Sequence, residues 1–254
     1  MKSKILLGFG VLAVTLAVLP MFAAFEAHVI NVTAQIENAL SVNTDPISFG
    51  TVFPQEQLDR FFNIDLSASF LAEERVDDVE YIIRQKPKCA VLENGNIVGE
   101  TVSGHVDDNG NIYCPEVLDP TGQPIPYQPL PLLCPYLSKH EETVDQNRPS
   151  GSDRDGSLAA FHPIGATTTQ GWVWTDVNGY LSHNDLDIND RWKLDLKVPC
   201  FEGYCAQDWA DYVHGINAEA DPDDYVQPAG NEHALFGCDI WIEVTGVSTS
   251  TPSL

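Results

Sequence analysis

The chain has 254 residues, with 37 Asp and Glu against 13 Lys and Arg, a net charge of −24, and 43% hydrophobic residues. So acidic a chain repels phosphate backbones, which excludes nucleic acid as a partner, because that binding rests on Lys and Arg neutralising phosphates. Its apolar content excludes a disordered acidic tail, and its length fits one large β domain or two small ones.

Lys2 and Lys4 precede an uncharged run, Ile5 to Phe22, and the small residues Ala23 and Ala24 follow. This is the order of a secretory signal peptide, so residues 1–23 are read as a signal cleaved at or just after Ala23–Ala24. A retained anchor is the competing reading, since the run approaches the about 20 residues of a spanning helix. Pro20 and the Ala pair favour cleavage, and no other uncharged run of spanning length occurs. The mature chain, 24–254, is therefore expected to be secreted and free of the membrane.

The stretch HVINVTAQIENALSV, 28–42, then alternates. His28, Ile30, Val32, Ala34, Ile36, Asn38, Leu40 and Val42 share one side, and mostly polar residues take the other. Period two predicts a long amphipathic strand at the head of the mature chain. Asn31-Val32-Thr33 also fits the N-glycosylation pattern.

Four more strands read the same way. FFNIDLSASF puts Phe62, Ile64, Leu66, Ala68 and Phe70 on one face, and RVDDVEYIIRQ does so with Val79, Tyr81 and Ile83. WKLDLKV turns Trp192, Leu194, Leu196 and Val198 inward, and Phe236, Cys238, Ile240, Ile242 and Val244 form the last row. Such alternation belongs to antiparallel sheets with one face buried, and two of them packed together bury both faces. The expected fold is all-β, an antiparallel two-sheet sandwich of jelly-roll type in a single domain. One short helix is expected near Trp209, Tyr212 and Val213. Residues 114–171, rich in Pro, Gly and polar side chains, read as long loops inserted between core strands.

Cys89, Cys114, Cys134, Cys200, Cys205 and Cys238 suggest disulfides in an exported chain. All pairings stay open, although Cys200 with Cys205 closes a small loop and Cys89 with Cys114 brackets a hairpin-like segment. No CxxC pair or His/Cys cluster at zinc-ligand spacing occurs.

Catalytic signatures are absent. HEETVD, 140–145, holds half of H-E-x-x-H but has Val144 where the second histidine belongs, so it reads as a solvated loop. There is no G-x-S-x-G, and the chain is not expected to be an enzyme. Calcium is the one cofactor to consider. Asp176, Asn178, Asp185, Asp187 and Asp190 crowd one short stretch and offer oxygen ligands, with weaker clusters at DRDG, 153–156, and DPDD, 221–224. Trp172 and Trp174 lie on the same side of a strand, a layout that suits sugar stacking if that side is exposed.

The run FAAFEAHVINVTAQIENALSV and the later ISFGTVFPQEQLDRFFNIDLSASF resemble the start of the TasA/camelysin family of secreted filament and biofilm-matrix proteins. The resemblance covers about residues 22–70. It implies a jelly-roll subunit of an extracellular fibre that polymerises with itself, its first strand donated to the next subunit. On that basis residues 24–42 are the candidate donor, with Ile30, Val32, Ala34, Ile36, Leu40 and Val42 as its apolar row. The metalloprotease activity described for camelysin does not carry over, because no H-E-x-x-H is present. The alternative is a monomeric extracellular module that binds carbohydrate or calcium.

Overall fold

A computed structural model describes residues 35–43, 45–141, 154–168 and 171–249, with side chains left out at 166–168, 171–173 and 249. The signal segment, the glycosylation pattern and the donor candidates Ile30, Val32 and Ala34 lie outside the described residues. By internal contacts the chain divides into two units, Met1–Ile36 and Glu37–Leu254, and the sandwich belongs to the second.

The strands are β1 (Leu40–Val42), β2 (Gln57–Leu66), β3 (Val76–Lys86), β4 (Lys88–Glu93), β5 (Asn96–Ser103), β6 (His105–Val106), β7 (Ile112–Tyr113) and β8 (Gln128–Pro129). They continue with β9 (Leu137–Glu141), β10 (Gly165–Thr168), β11 (Gly171–Trp174), β12 (Asp176–Ser182), β13 (Asn189–Lys197) and β14 (Asp239–Thr249). Helices are the single turn α1 (Ala68–Leu71) and the longer α2 (Trp209–Ile216).

All strand pairs are antiparallel, and two sheets carry the core. One runs β1-β2-β13-β9 and the other β12-β3-β14. Their inward rows meet: Phe62, Ile64 and Leu66 of β2 and Trp192 and Leu194 of β13 pack with Val79, Tyr81 and Ile83 of β3 and Val177 and Leu181 of β12. These are the rows that alternation selects, and the protein is an all-β sandwich. A second cluster forms where α2 brings Trp209 and Val213 against Phe161, Tyr136 and Leu196.

Several expectations need correction. The FFNIDLSASF strand stops at Leu66, because Ser67 turns the chain into α1: its Oγ accepts from the Phe70 N–H at 3.1 Å and donates to the Asn38 carbonyl at 2.6 Å. Ala68 is therefore exposed and Phe70 is buried from a helix. Of the described part of the long opening strand, residues 35–42, only β1 is paired, with Leu40 opposite Leu66 and Val42 opposite Ile64 of the same chain. Ile36 is 92% exposed. Residues 114–171 are not merely loops, since β9 is the edge strand of the larger sheet. Its inward row is Leu137, Lys139 and Glu141, facing Leu196, Leu194 and Trp192 in register. Two charged residues in a row of three hide that strand from any hydrophobic count.

The cysteines pair as Cys89–Cys114, Cys134–Cys238 and Cys200–Cys205. Among the described residues no helix is long and apolar enough to cross a membrane.

Gly179 and Tyr81 are cross-strand partners in β12 and β3, and a Cβ on Gly179 would overlap the Tyr81 ring. Gly179→Ala is expected to cost about 1–3 kcal/mol through overpacking. Urea unfolding should show a lower midpoint with unchanged slope. An unaltered midpoint would contradict the close approach.

Candidate functional site

The site grows from the polar residues that the inward rows carry. In β13 the buried row begins with Asp190 before Trp192 and Leu194, so a carboxylate enters the interior. Buried charge is tolerated only with partners. Tyr81 supplies one from the opposite sheet: its hydroxyl donates to Asp190 Oδ2 and accepts from Trp192 Nε1 at 2.8 Å. The two rings meet edge to face with centroids 6.4 Å apart. Burial raises the Tyr81 phenol far above its ordinary range, and the charges of Asp190 and Asp155 push the same way. The hydroxyl keeps its proton and stays a donor.

Glu141 ends β9, and Asp155 arrives on the segment that bridges back to β9 through Leu158 and Lys139. Asp155 Oδ1 accepts from the Tyr180 N–H at 2.8 Å. Glu141, Asp155 and Asp190 each present a carboxylate oxygen, all within 4.8 Å of one another, with Asp190 buried and the other two half-buried. Hard oxygen donors grouped in this way are the ligand type that Ca²⁺ takes, with backbone carbonyls and water completing its six to eight positions.

Of the five oxygen-bearing positions singled out in the sequence, only Asp190 joins this group. Strand alternation separates the others. Asp176 points outward from β12 and pairs with Arg84 at 2.9 Å, and Asn178 is exposed on the same strand. Asp185 is exposed in the turn, while Asp187 is buried and exchanges backbone hydrogen bonds with Ser182. Glu141 lies in the HEETVD segment read as a solvated loop, which is corrected here: His140 and Glu141 belong to β9 and are half-buried. Asp155 comes from DRDG, the weaker cluster. The group is assembled across sheets, so spacing along the chain had little to show.

Ser138, His140 and Asp195 also meet, on the outer row of β9 and β13. Ser138 Oγ donates to Asp195 Oδ2 at 2.8 Å, and His140 Nε2 lies 2.9 Å from the same oxygen. The imidazole touches the carboxylate and not the hydroxyl, so this is not the nucleophile–base–orienter chain of a hydrolase. Trp174 is half-buried, while Trp241, on β14, is 44% exposed under the Lys86 ammonium 3.1 Å from its ring centroid.

A second feature lies at the sheet edge. β2 pairs with β13 along nearly its whole length, but with β1 only at Ile64, Asp65 and Leu66. Beside its remaining edge run residues 45–50, held by Arg60 Nε donating to the Ser48 carbonyl at 3.0 Å. Between them is an open cavity of about 340 Å³ lined by Pro46, Ile47, Arg60, Phe61 and Phe62. Ile47 and Phe61 are both about two-fifths exposed there.

No family model matches the chain, and neither a curated protein nor a solved structure matches it.

Calcium titration checks the carboxylate group. At tenfold excess over Kd the wild type should gain about 1.4 kcal/mol, seen as a rise in Tm. Asp155→Asn removes one ligand and should lose most of that gain; equal gains in both proteins would dismiss the group as a calcium site. Acid titration checks the interior. Burial pushes His162 down to about 4, so its folded state favours the neutral ring. Stability from this residue is complete above the unfolded value near 6.5 and falls as pH drops toward 4, by about 3 kcal/mol at full protonation. His162→Asn should flatten that part of the curve in stability measurements across pH 7 to 4.

Proposed function

We propose that this protein is an exported structural subunit that polymerises with copies of itself, the residues before β1 of one subunit adding to the β2 edge of the next. The observation that carries this reading is the unfinished edge of β2. From Gln57 to Asn63 the side of β2 away from β13 has no strand beside it among the described residues. Strand addition there supplies a row of main-chain hydrogen bonds, with pockets for alternate side chains giving specificity. The cavity beside Phe61 and Phe62 and the exposed Ile47 supply apolar surface of that kind.

On this reading the donated segment ends before β1. Leu40 and Val42 belong to their own subunit's sheet, which leaves residues 24–36, with Ile30, Val32, Ala34 and Ile36 as the apolar row. Donor and acceptor are different surfaces, so each addition exposes a fresh acceptor and the product is an open filament. Three disulfides suit an oxidising location outside the cell, in line with the signal-like amino terminus. The resemblance of residues 22–70 to TasA/camelysin proteins supports the same reading. A second reading, a monomeric calcium-binding sandwich, draws on the Glu141, Asp155 and Asp190 group.

Negative-stain microscopy of the mature chain, beside a version beginning at Glu37, tests this. That version keeps β1 and with it the sandwich. Fibres from the mature chain and dispersed monomers from the shortened one are expected. Dispersed particles from both, across salt and calcium, would overturn polymerisation, and fibres from both would overturn the donor assignment.

A further inference from the structure

Gln85 on β3 and Lys139 on β9 come from opposite sheets and are both fully buried. Gln85 sits on the inward row after Val79, Tyr81 and Ile83, and Lys139 on the row between Leu137 and Glu141. The Gln85 amide nitrogen donates to the Cys134 carbonyl at 3.2 Å, and its oxygen accepts from Lys139 Nζ at 2.9 Å. Among the described residues, no carboxylate lies within ion-pairing distance of that Nζ. A lysine buried against an amide is in an unusual position, because an ammonium in an apolar interior calls for a counter-charge.

The surroundings favour the uncharged amine. Both groups are shut off from solvent, and desolvation disfavours an ammonium that faces only an amide. A desolvated neutral lysine is a nucleophile, and the carbonyl carbon bonded to the oxygen it touches is an acceptor.

We propose that Lys139 and Gln85 join in an intramolecular isopeptide bond that ties β9 of one sheet to β3 of the other. Lys139 Nζ attacks Gln85 Cδ, a proton passes from Nζ to the amide nitrogen, and that nitrogen leaves as ammonia. One C–N bond forms and one breaks, and no oxidant, metal or cofactor takes part. The leaving nitrogen is the one already held by the Cys134 carbonyl. Aminolysis of an amide between free molecules is slow, but one turnover per molecule suffices. Holding the two groups in contact raises their effective concentration far above that in solution, toward the about 10⁵–10⁸ M of fully oriented pairs. The reaction belongs to the folded subunit and does not depend on polymerisation. Its product lies beside the Cys134–Cys238 disulfide, where Ile240 of β14 pairs with Gln85.

Mass spectrometry of the purified mature protein tests the bond directly. The intact mass is expected about 17 Da below that of the chain with three disulfides, the loss of one ammonia. After reduction and tryptic digestion, fragmentation should show a branched peptide joining Gln85 to Lys139. Lys139→Met, if it folds, should restore the full mass, but the wild-type digest decides the matter alone. Linear peptides with an intact Gln85 amide and cleavage after Lys139 would overturn the proposal. So would a deficit of that size mapped to another residue.

Discussion

The Tyr81 hydroxyl crosses the sandwich, and much of the interior is arranged around it. It reaches from β3 to Asp190 on β13, accepts from the Trp192 indole, and lies over the bare backbone of Gly179. Hydrogen bonds to buried charged groups contribute about 1.5–3 kcal/mol each, and leaving such a group without its donor costs more. The contact also fixes alignment. Side chains alternate with period two, so a slip of one residue in β3 or β13 would turn Tyr81 or Asp190 outward and leave the other buried alone.

Around that tie the interior is polar along one side and apolar along the other. The β2 half of the core is Phe, Ile and Leu, while the β9 half holds Lys139, Glu141 and, from β13 and β3, Asp190 and Gln85. Replacing buried ionic groups with apolar ones is often neutral or stabilising, so their presence is not explained by stability alone. They fall into two groups: three carboxylates gathered together, and an amine set against an amide. The polar side faces the edge strand β9, where backbone from the Asp155 segment covers it.

Much of the sandwich could be read from alternation. Phe62, Ile64, Leu66, Val79, Tyr81, Ile83, Trp192, Leu194 and Leu196 are all inward and buried. What alternation could not show was a strand whose inward row is charged, and β9 is that strand. The acidic stretch from Asp176 to Asp190 misled for a related reason: proximity in sequence becomes separation in space when a strand, a turn and a second strand share it. The true carboxylate group joins residues 141, 155 and 190, which only the sheet register brings together. Cys89–Cys114 and Cys200–Cys205 left a local trace in their spacing. Cys134–Cys238, separated by 104 residues, left none.

The β14 edge of the sandwich is built differently from the β2 edge. β14 ends the smaller sheet, and its pairing with β3 slips twice, between Val244 and Gly246 and between Val247 and Thr249. Irregularities of this kind twist an edge away from flat contact and discourage another chain from stacking on it. Val244 and Val247 are exposed along that strand, yet the backbone beside them is the wrong shape to act as a template. The β14 rim is thus blunted against sideways contact by the irregularity of its own backbone.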